Sequence, residues 1–198
     1  TRRNLAALRR AGWRLLVVAG AVLRTEGFPY ALDNGAWSCY CRKTPFDVEA
    51  FEKALKKLGR GADWIALPDV VAGGAESLAF SLSWMDRVRP LAPVLLPVQD
   101  GMEPSDVAHI VGPGVGLFLG GTTKWKLATM RAWGSLARDT GAHFHVARVN
   151  SAKRIRLCQD AGAHSFDGTS ATRYAVTLPR LDNERRQGHL FAAGGRSA

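Results

Sequence analysis

A carboxylate near the C-terminal end of the chain stands in a setting that suggests chemistry. Asp167 closes a short apolar segment, 164–167, which follows a helical segment and an earlier apolar strand, 143–149. Turns favour Asp for local hydrogen bonding, so the residue alone indicates little. At the carboxyl end of a strand in a repeating strand–helix chain, however, a carboxylate lies where barrel enzymes place their active sites. Asp167 is therefore a candidate catalytic residue.

Carboxylates and amides recur at the ends of other predicted strands. In chain order these are Asp33 with Asn34, Asp69, Gln99 with Asp100, Asn150 and Asp167. Any one of them can be a turn residue or a helix cap, but five successive strand ends are not all explained in that way. Several carboxylates in one pocket push their pKa values apart, which suits separate nucleophile and acid/base roles. Such a pair performs glycosyl chemistry, and the residues leave open whether water or a second base is the acceptor.

Apolar runs alternate with helical periods along the whole chain. The predicted strands are 14–19, 30–34, 63–68, 94–99, 115–120, 143–149 and 164–167, with a short eighth near 109–111. This alternation predicts an α/β fold, and a compact (β/α)₈ TIM barrel with its site at the carboxyl ends of the strands is favoured. A doubly wound sheet is the alternative, but no Gly-x-Gly-x-x-Gly motif follows the first strand. Residues 1–178 are predicted to form one barrel domain, and residues 179–198 a basic tail without fixed structure.

The charge balance indicates a polyanionic partner. The chain has 27 Lys and Arg against 17 Asp and Glu, a formal net charge of +10. A nucleic acid is the simplest such partner, and a merely solvated basic surface is the alternative. Lys124 and Lys126 lie at a predicted helix N-terminus, where phosphate can bind, and Arg148 lies near a strand end. We expect these three residues to contact nucleic acid.

Cysteine count and hydropathy bear on location and cofactors. Three cysteines without a disulfide pattern favour a reducing cytoplasm. No apolar run approaches the roughly 20 residues that span a bilayer, so no membrane partner is predicted. The cysteines and histidines do not supply the four ligands of a usual zinc site, and we predict neither a metal nor a cofactor.

The segments that end the predicted strands resemble those of tRNA-guanine transglycosylases. In that family the nucleophilic Asp is followed six residues on by the Arg of a Pro-Thr-Arg motif, and Asp167 and Arg173 keep this interval. Asp69 stands where a base-reading Asp is expected. The other matching segments are Asp33-Asn34-Gly35-Ala36-Trp37 for Asp-Ser-Gly-Gly-Phe, Gln99-Asp100-Gly101 for Gln-Gly-Gly, and Gly116-Leu117-Phe118-Leu119-Gly120 for Gly-Leu-Ala-Val-Gly. Together they span about residues 30–173.

The resemblance implies a pentosyltransferase that exchanges bases. Asp167 would attack C1′ of a guanosine and expel guanine, and a free 7-deazaguanine such as preQ0 would then enter with help from Asp33. The two displacements together would retain configuration. The residues that the resemblance assigns to substrate binding are Asp69, Gln99, Gly116, Leu117 and Arg173.

Departures from the family pattern point to a particular branch. The zinc site, a Cys-x-Cys-x-x-Cys motif plus His, is missing, the chain is much shorter, and Gly121 replaces the usual acidic residue. These features resemble the 7-deazaguanine DNA transglycosylases of phages and bacterial DNA-modification clusters. The resemblance therefore implies DNA rather than tRNA as substrate, a guanine flipped from the duplex or presented single-stranded, and accessory DNA-modification proteins.

Three alternatives stay open at this level. The chain could act on tRNA, it could be another barrel glycosidase or N-glycosylase that uses water, or it could be a nucleic-acid-binding relative without activity. Because Asp33 and Asp167 are both present, the sequence argues against the last of these.

Overall fold

Seven parallel strands form one sheet in which each strand pairs with the next along the chain. The computed structural model describes residues 2–186, apart from the side chains of Arg2, Arg3 and Ala175. The strands are β1 Leu15–Val18, β2 Tyr30–Asp33, β3 Ile65–Ala66, β4 Val94–Val98, β5 Val115–Leu119, β6 Phe144–Val146 and β7 Ser165–Phe166. The sheet has the order β1-β2-β3-β4-β5-β6-β7 and curls into a half-barrel.

Helices connect the strands, as parallel pairing requires. They are α1 Arg2–Arg10, α2 Ala36–Arg42, α3 Val48–Leu58, α4 Gly74–Val88, α5 Pro104–Val107, α6 Thr123–Thr140, α7 Ala152–Asp160, α8 Ser170–Arg173 and α9 Leu178–Arg186. Side-chain caps fix several starts: Asp47 accepts from Ala50 N at 2.9 Å before α3, and Ser151 caps α7.

The prediction of a closed eight-stranded TIM barrel is wrong. Within residues 2–186 the sheet has seven strands, and its edges β1 and β7 do not pair with each other. The segment near 109–111, predicted as the short eighth strand, continues the turn of α5 instead. Ile110 N and Val111 N both donate to Val107 O, at 2.9 and 3.2 Å, so these amides are not available to a neighbouring strand. The fold is α/β with an open, curled parallel sheet.

The two ends of the described chain meet over the open seam between β1 and β7. The Trp13 and Phe166 rings pack edge to face across it, with their centroids 6.0 Å apart. Trp13 Nε1 donates to Asp182 of α9 at 2.9 Å, and Asn4 of α1 donates to Thr172 O of α8 at 2.7 Å. Residues 179–186 of the predicted tail therefore belong to a packed helix, and residues 187–198 lie outside the described residues.

Strand alternation gives the sheet two different faces. The outer face packs against the helices and carries the main core, which includes Phe51, Trp133 and Phe144, all fully buried. The opposite side of the sheet, which we call the inner face, carries a smaller apolar cluster. This cluster consists of Ala31, Trp64, Ala66 and Leu95, with Leu16 and Phe118 packed against them. Along each strand, the residues that alternate with main-core residues therefore have their side chains on the inner face, and this includes polar residues.

A close approach of two helices is expected to make Gly134 of α6 irreplaceable. A Cβ at this position would lie 1.8 Å from Ala161 O at the end of α7. Gly to Ala inside a helix ordinarily stabilises by up to about 1 kcal/mol. Here we expect Gly134→Ala to lower the free energy of unfolding by about 2 kcal/mol, because the helices must separate.

Urea denaturation followed by circular dichroism measures the effect. Gly114→Ala is the matched control, since its Cβ would lie 3.8 Å from the nearest atom, in the Arg89 guanidinium. Equal stability of the two variants would contradict the close packing of α6 against α7.

Candidate active site

Strand alternation brings three of the predicted polar residues to the inner face at one edge of the sheet. Asp33 ends β2, Gln99 follows β4 and Asp167 follows β7. Residues two apart on a strand share a face, so these side chains continue the inner face where the strands end. Asp69 lies three residues beyond β3, at the same edge. The structure thus gathers Asp33, Asp69, Gln99 and Asp167 in one region.

Two amide side chains hold the buried carboxylate of Asp69. Asn34 Nδ2 donates to Asp69 Oδ1 at 2.7 Å, and Gln99 Nε2 donates to Asp69 Oδ2. Gln99 Oε1 in turn accepts from the backbone N–H groups of Gly121 and Ala72, at 2.8 and 3.2 Å. Burial raises the pKa of Asp69 to about 6, although the two amide hydrogen bonds and the charge of Arg148 oppose the shift. This network ties together the ends of β2, β3, β4 and β5.

Asp33 is a carboxyl whose pKa lies near neutrality. Burial raises its pKa to about 7, the charges of Asp167 and Asp69 add to the shift, and a hydrogen bond from Gly35 N to Oδ1 at 2.7 Å opposes it. Only glycine suits position 35, because its φ is +85° and a Cβ would lie 2.6 Å from Ala19 O. A carboxyl with this pKa can both give and take a proton at pH 7.

Asp167 is held through one of its two oxygens. Oδ1 accepts from Arg148 N at 3.1 Å and lies 3.1 Å from His145 Nε2. Among the described residues no hydrogen bond or ion pair reaches Oδ2. The side chain is 19% exposed, so Oδ2 is the oxygen left for a ligand.

Arg148 lies among these carboxylates in a strained backbone conformation. Its φ is +58°, a left-handed value that non-glycine residues seldom adopt. Its guanidinium donates to Gly121 O and lies 3.9 Å above the Trp37 ring. Burial lowers the pKa of Arg148, and neighbouring acidic groups, Asp167 first among them, raise it. The predicted nucleic-acid contact is therefore a half-buried residue of the site itself.

Two predicted base contacts lie away from this edge. Gly116 and Leu117 are inside β5, where Leu117 N donates to His143 O at 2.7 Å and the Leu117 side chain is fully buried in the main core. At the end of β5 it is Gly120 and Gly121 that adjoin Gln99. The structure therefore does not bring Gly116 and Leu117 to the carboxylates.

The other predicted binding residues differ in exposure. Arg173 is exposed on α8, and within residues 2–186 its side chain makes no hydrogen bond or ion pair. Lys124 is exposed in the first turn of α6. Lys126 is buried and donates to Ala147 O, and burial lowers its pKa to about 8. Of the two predicted lysines, only Lys124 is free to meet a phosphate.

A set of inner-face residues beside Asp167 was not predicted from the sequence. His145 Nδ1 lies 2.8 Å from Ser165 Oγ, and the same oxygen lies 2.7 Å from His143 Nε2. A signal was present: His occupies alternate positions of β6, and Ser and Asp occupy alternate positions at β7. Alternation on paired strands puts all four on one face.

A cavity of about 550 Å³ opens along the seam between β1 and β7. Asp167, His145 and Ser165 lie on its wall together with Trp64 and Phe166. Asp33, Asp69 and Gln99 do not line it. Asp167 therefore stands at the boundary between an aromatic cavity and the amide–carboxylate network.

The side chains and helices of the described part of the chain meet neither the requirements of a metal site nor those of a membrane span. No group of three or more His, Cys, Asp or Glu side chains there could hold a metal ion. Across residues 2–186, the helices are all too short or too polar to cross a membrane. Comparison of the chain with protein-family models and with curated proteins finds no match.

The raised pKa of Asp33 predicts a particular pH dependence of stability. A carboxyl whose folded pKa lies above its unfolded value stabilises the protein at low pH and loses that contribution as pH rises through the folded pKa. From pH 5 to pH 8 we therefore expect the Asp33 contribution to the free energy of unfolding to fall. Over this range Asp33→Asn should lose about 1–3 kcal/mol less stability than the wild type, and the lowered pKa of His143 acts equally in both proteins.

Urea denaturation at the two pH values measures the difference. The amide oxygen of Asn can still accept from Gly35 N, so the local turn is kept. Asp86→Asn, on the exposed side of α4, is the control and should follow the wild type. An unchanged slope in Asp33→Asn would mean that Asp33 is ionised at acidic pH in the folded protein.

Proposed function

We propose that this protein is a transglycosylase that exchanges guanine in DNA for a 7-deazaguanine base through a covalent intermediate on Asp167. One observation carries the proposal. A carboxylate with an unengaged oxygen, Asp167, lies close enough to Asp33 for its charge to raise the Asp33 pKa, which reaches about 7. A nucleophile beside a carboxyl poised for proton transfer is what base exchange requires.

The first displacement uses both carboxyls. Asp167 Oδ2 attacks C1′ of the guanosine, and the C1′–N9 bond breaks with its electron pair moving to the guanine. Protonated Asp33 gives its proton to the leaving base, which departs neutral. The pKa of about 7 keeps a large fraction of Asp33 protonated at neutral pH.

The second displacement reverses these roles. The incoming base loses its N9 proton to the Asp33 carboxylate, and N9 attacks C1′ while the bond from C1′ to Asp167 breaks. Asp33 is protonated again and Asp167 is ionised, so no co-substrate is consumed. Two inversions retain the configuration at C1′.

The amide–carboxylate network supports recognition of a guanine-like edge. Asp69 offers carboxylate oxygens to N–H donors of a base, and Gln99 offers an amide beside it. The peptide at Gly120 and Gly121 takes the place proposed from sequence for Gly116 and Leu117, because it adjoins Gln99. Both oxygens of Asp69 are held by amides here, so a bound base has to displace or share those bonds.

Charge and aromatic exposure support a nucleic acid as the substrate polymer. The net charge of +10 favours a polyanion. Trp37 and Tyr40 are exposed and stacked on each other, with their ring centroids 5.5 Å apart, on the helix that follows Asp33. Exposed aromatic rings beside Arg42 and Lys43 are typical of surfaces that hold unpaired bases.

Removing the proposed nucleophile should abolish exchange and leave the fold intact. We expect Asp167→Asn and Asp167→Ala to lose incorporation of radiolabelled guanine into DNA by at least about 10³-fold, as expected for the loss of a covalent nucleophile. In the Asn variant Oδ1 can still accept from Arg148 N, so the circular dichroism spectrum and melting temperature should change little.

Asp139→Asn, on the exposed surface of α6, is the matched control and should exchange guanine at the wild-type rate. Exchange of guanine by Asp167→Ala at the wild-type rate would contradict the mechanism. Continuous release of guanine from DNA by the wild type without added base would instead indicate an N-glycosylase that uses water.

The substrate polymer can be decided by competition. We expect the purified protein to incorporate labelled guanine into single-stranded DNA in preference to tRNA, and the rate at limiting DNA to fall as salt rises because phosphate contacts are lost. A preference for tRNA at every salt concentration would contradict the DNA assignment.

A further inference from the structure

Four side chains at β6 and β7 form a continuous hydrogen-bond network that ends on Asp167. We propose that His145, supported by Ser165 and His143, is a positioning residue that fixes the Asp167 carboxylate and leaves Oδ2 as the attacking oxygen. This inference rests on the proposed function and goes beyond it, because it assigns work to residues outside the two carboxyls.

The contacts run without a break. Asp167 Oδ1 lies 3.1 Å from His145 Nε2, His145 Nδ1 lies 2.8 Å from Ser165 Oγ, and Ser165 Oγ lies 2.7 Å from His143 Nε2. The strand register explains the sequence of contacts, since His145 pairs with Ser165 across β6 and β7. Each strand then adds one more inner-face residue, His143 before the pair and Asp167 after it.

Each hydrogen bond is assigned a direction in the proposed network. An ionised Asp167 can only accept, so His145 Nε2 carries a proton. We assign the arrangement in which His145 Nδ1 accepts from the Ser165 hydroxyl and Ser165 Oγ accepts from His143 Nε2–H. Burial lowers the pKa of His143 to about 4, so His143 is neutral at pH 7. In this arrangement every donor among the four side chains points toward Asp167.

Packing holds the His145 ring in this orientation. His145 is buried, its ring is stacked on Phe118 with the centroids 4.9 Å apart, and Trp64 lies 4.7 Å away on a tilted approach. A ring held in this way cannot turn to exchange its two nitrogens without moving an aromatic neighbour.

The consequence for Asp167 is a distinction between its two oxygens. Oδ1 accepts from both His145 and Arg148 N, which draws electron density from that oxygen and holds the carboxylate plane. Oδ2 keeps its lone pairs for C1′. Positioning of this kind contributes to rate because a reacting atom displaced by about 1 Å can cost about 100-fold.

Nitrogen NMR of ring-labelled histidine tests the network without any substrate. In the wild type at pH 7 we expect both His145 and His143 to carry a proton on Nε2, and the His145 Nδ1 signal to show an accepted hydrogen bond. In Ser165→Ala that signal should move to the value of a free nitrogen, and in Ser165→Thr it should stay. A proton on Nδ1 of His145 would overturn the inference.

Kinetics of guanine exchange test the positioning role. For Ser165→Ala and His145→Gln we expect kcat to fall by about 10- to 100-fold while KM for DNA changes little, because binding groups remain and only the nucleophile is misplaced. Ser165→Thr, which keeps the hydroxyl, should restore the rate. His109→Gln, at an exposed position after α5, is the control.

The two assays separate the inference from the proposed function. If the histidines have the expected tautomers but the protein does not exchange guanine, the hydrogen-bond network is supported and the proposed transglycosylase function is rejected. Wild-type kcat in both Ser165→Ala and His145→Gln, in a protein that does exchange guanine, would reject the positioning role and leave the function standing. Melting temperatures identify a variant that has unfolded, and Ser165→Ala, the smaller change, then decides.

Discussion

The parallel register of consecutive strands determines where every polar residue of the site lies. Each strand ends at the same edge of the sheet, and alternation assigns its last residues to the inner or the outer face. Asp33 and Gln99 meet at this edge because they lie an even number of residues after the inner-face residues Ala31 and Leu95. Asp167 joins them because it lies two residues after Ser165, which pairs with His145. One inserted residue in any of these strands would send its carboxylate or amide toward the helices.

Burial of carboxyls at this edge lowers the stability of the folded protein and brings their pKa values toward neutrality. Asp33 and Asp69 have pKa values raised by burial, so the fold carries ionised groups it would hold more easily as neutral acids. Amides and backbone N–H groups offset part of this cost. Arg148 contributes as well, since its positive charge lies among the acidic groups. The result is an edge at which the carboxyls of Asp33 and Asp167 stand in different environments.

Sequence patterns predict the element types well, but not the closure of the sheet. The strand that ends at Asp33 and the strand that precedes Asp167 are predicted within one residue, because they are short apolar runs followed by turn residues. The predicted ends of β3 and β6 lie two and three residues too late. The eighth strand failed because His109–Val111 is apolar enough for a strand, while the hydrogen bonds of a helical turn depend on Pro104 and the preceding cap. Lys126 illustrates another limit: a helix N-terminus is visible in sequence, but the face that a lysine presents is set by tertiary packing. The His145–Ser165 pairing was hidden because register between β6 and β7 is not local information.

The contact between Trp13 and Asp182, beside the open seam, has a consequence for folding kinetics. These residues lie 169 positions apart, so the contact that covers the edge of β1 is among the most distant in the sequence. Contacts of such high sequence separation slow folding. At ordinary ribosomal rates of about 5–20 residues per second, α9 is synthesised roughly 10–30 s after β1. During that interval β1 is an unpartnered strand edge, which is the kind of surface that chaperones protect and that aggregation recruits.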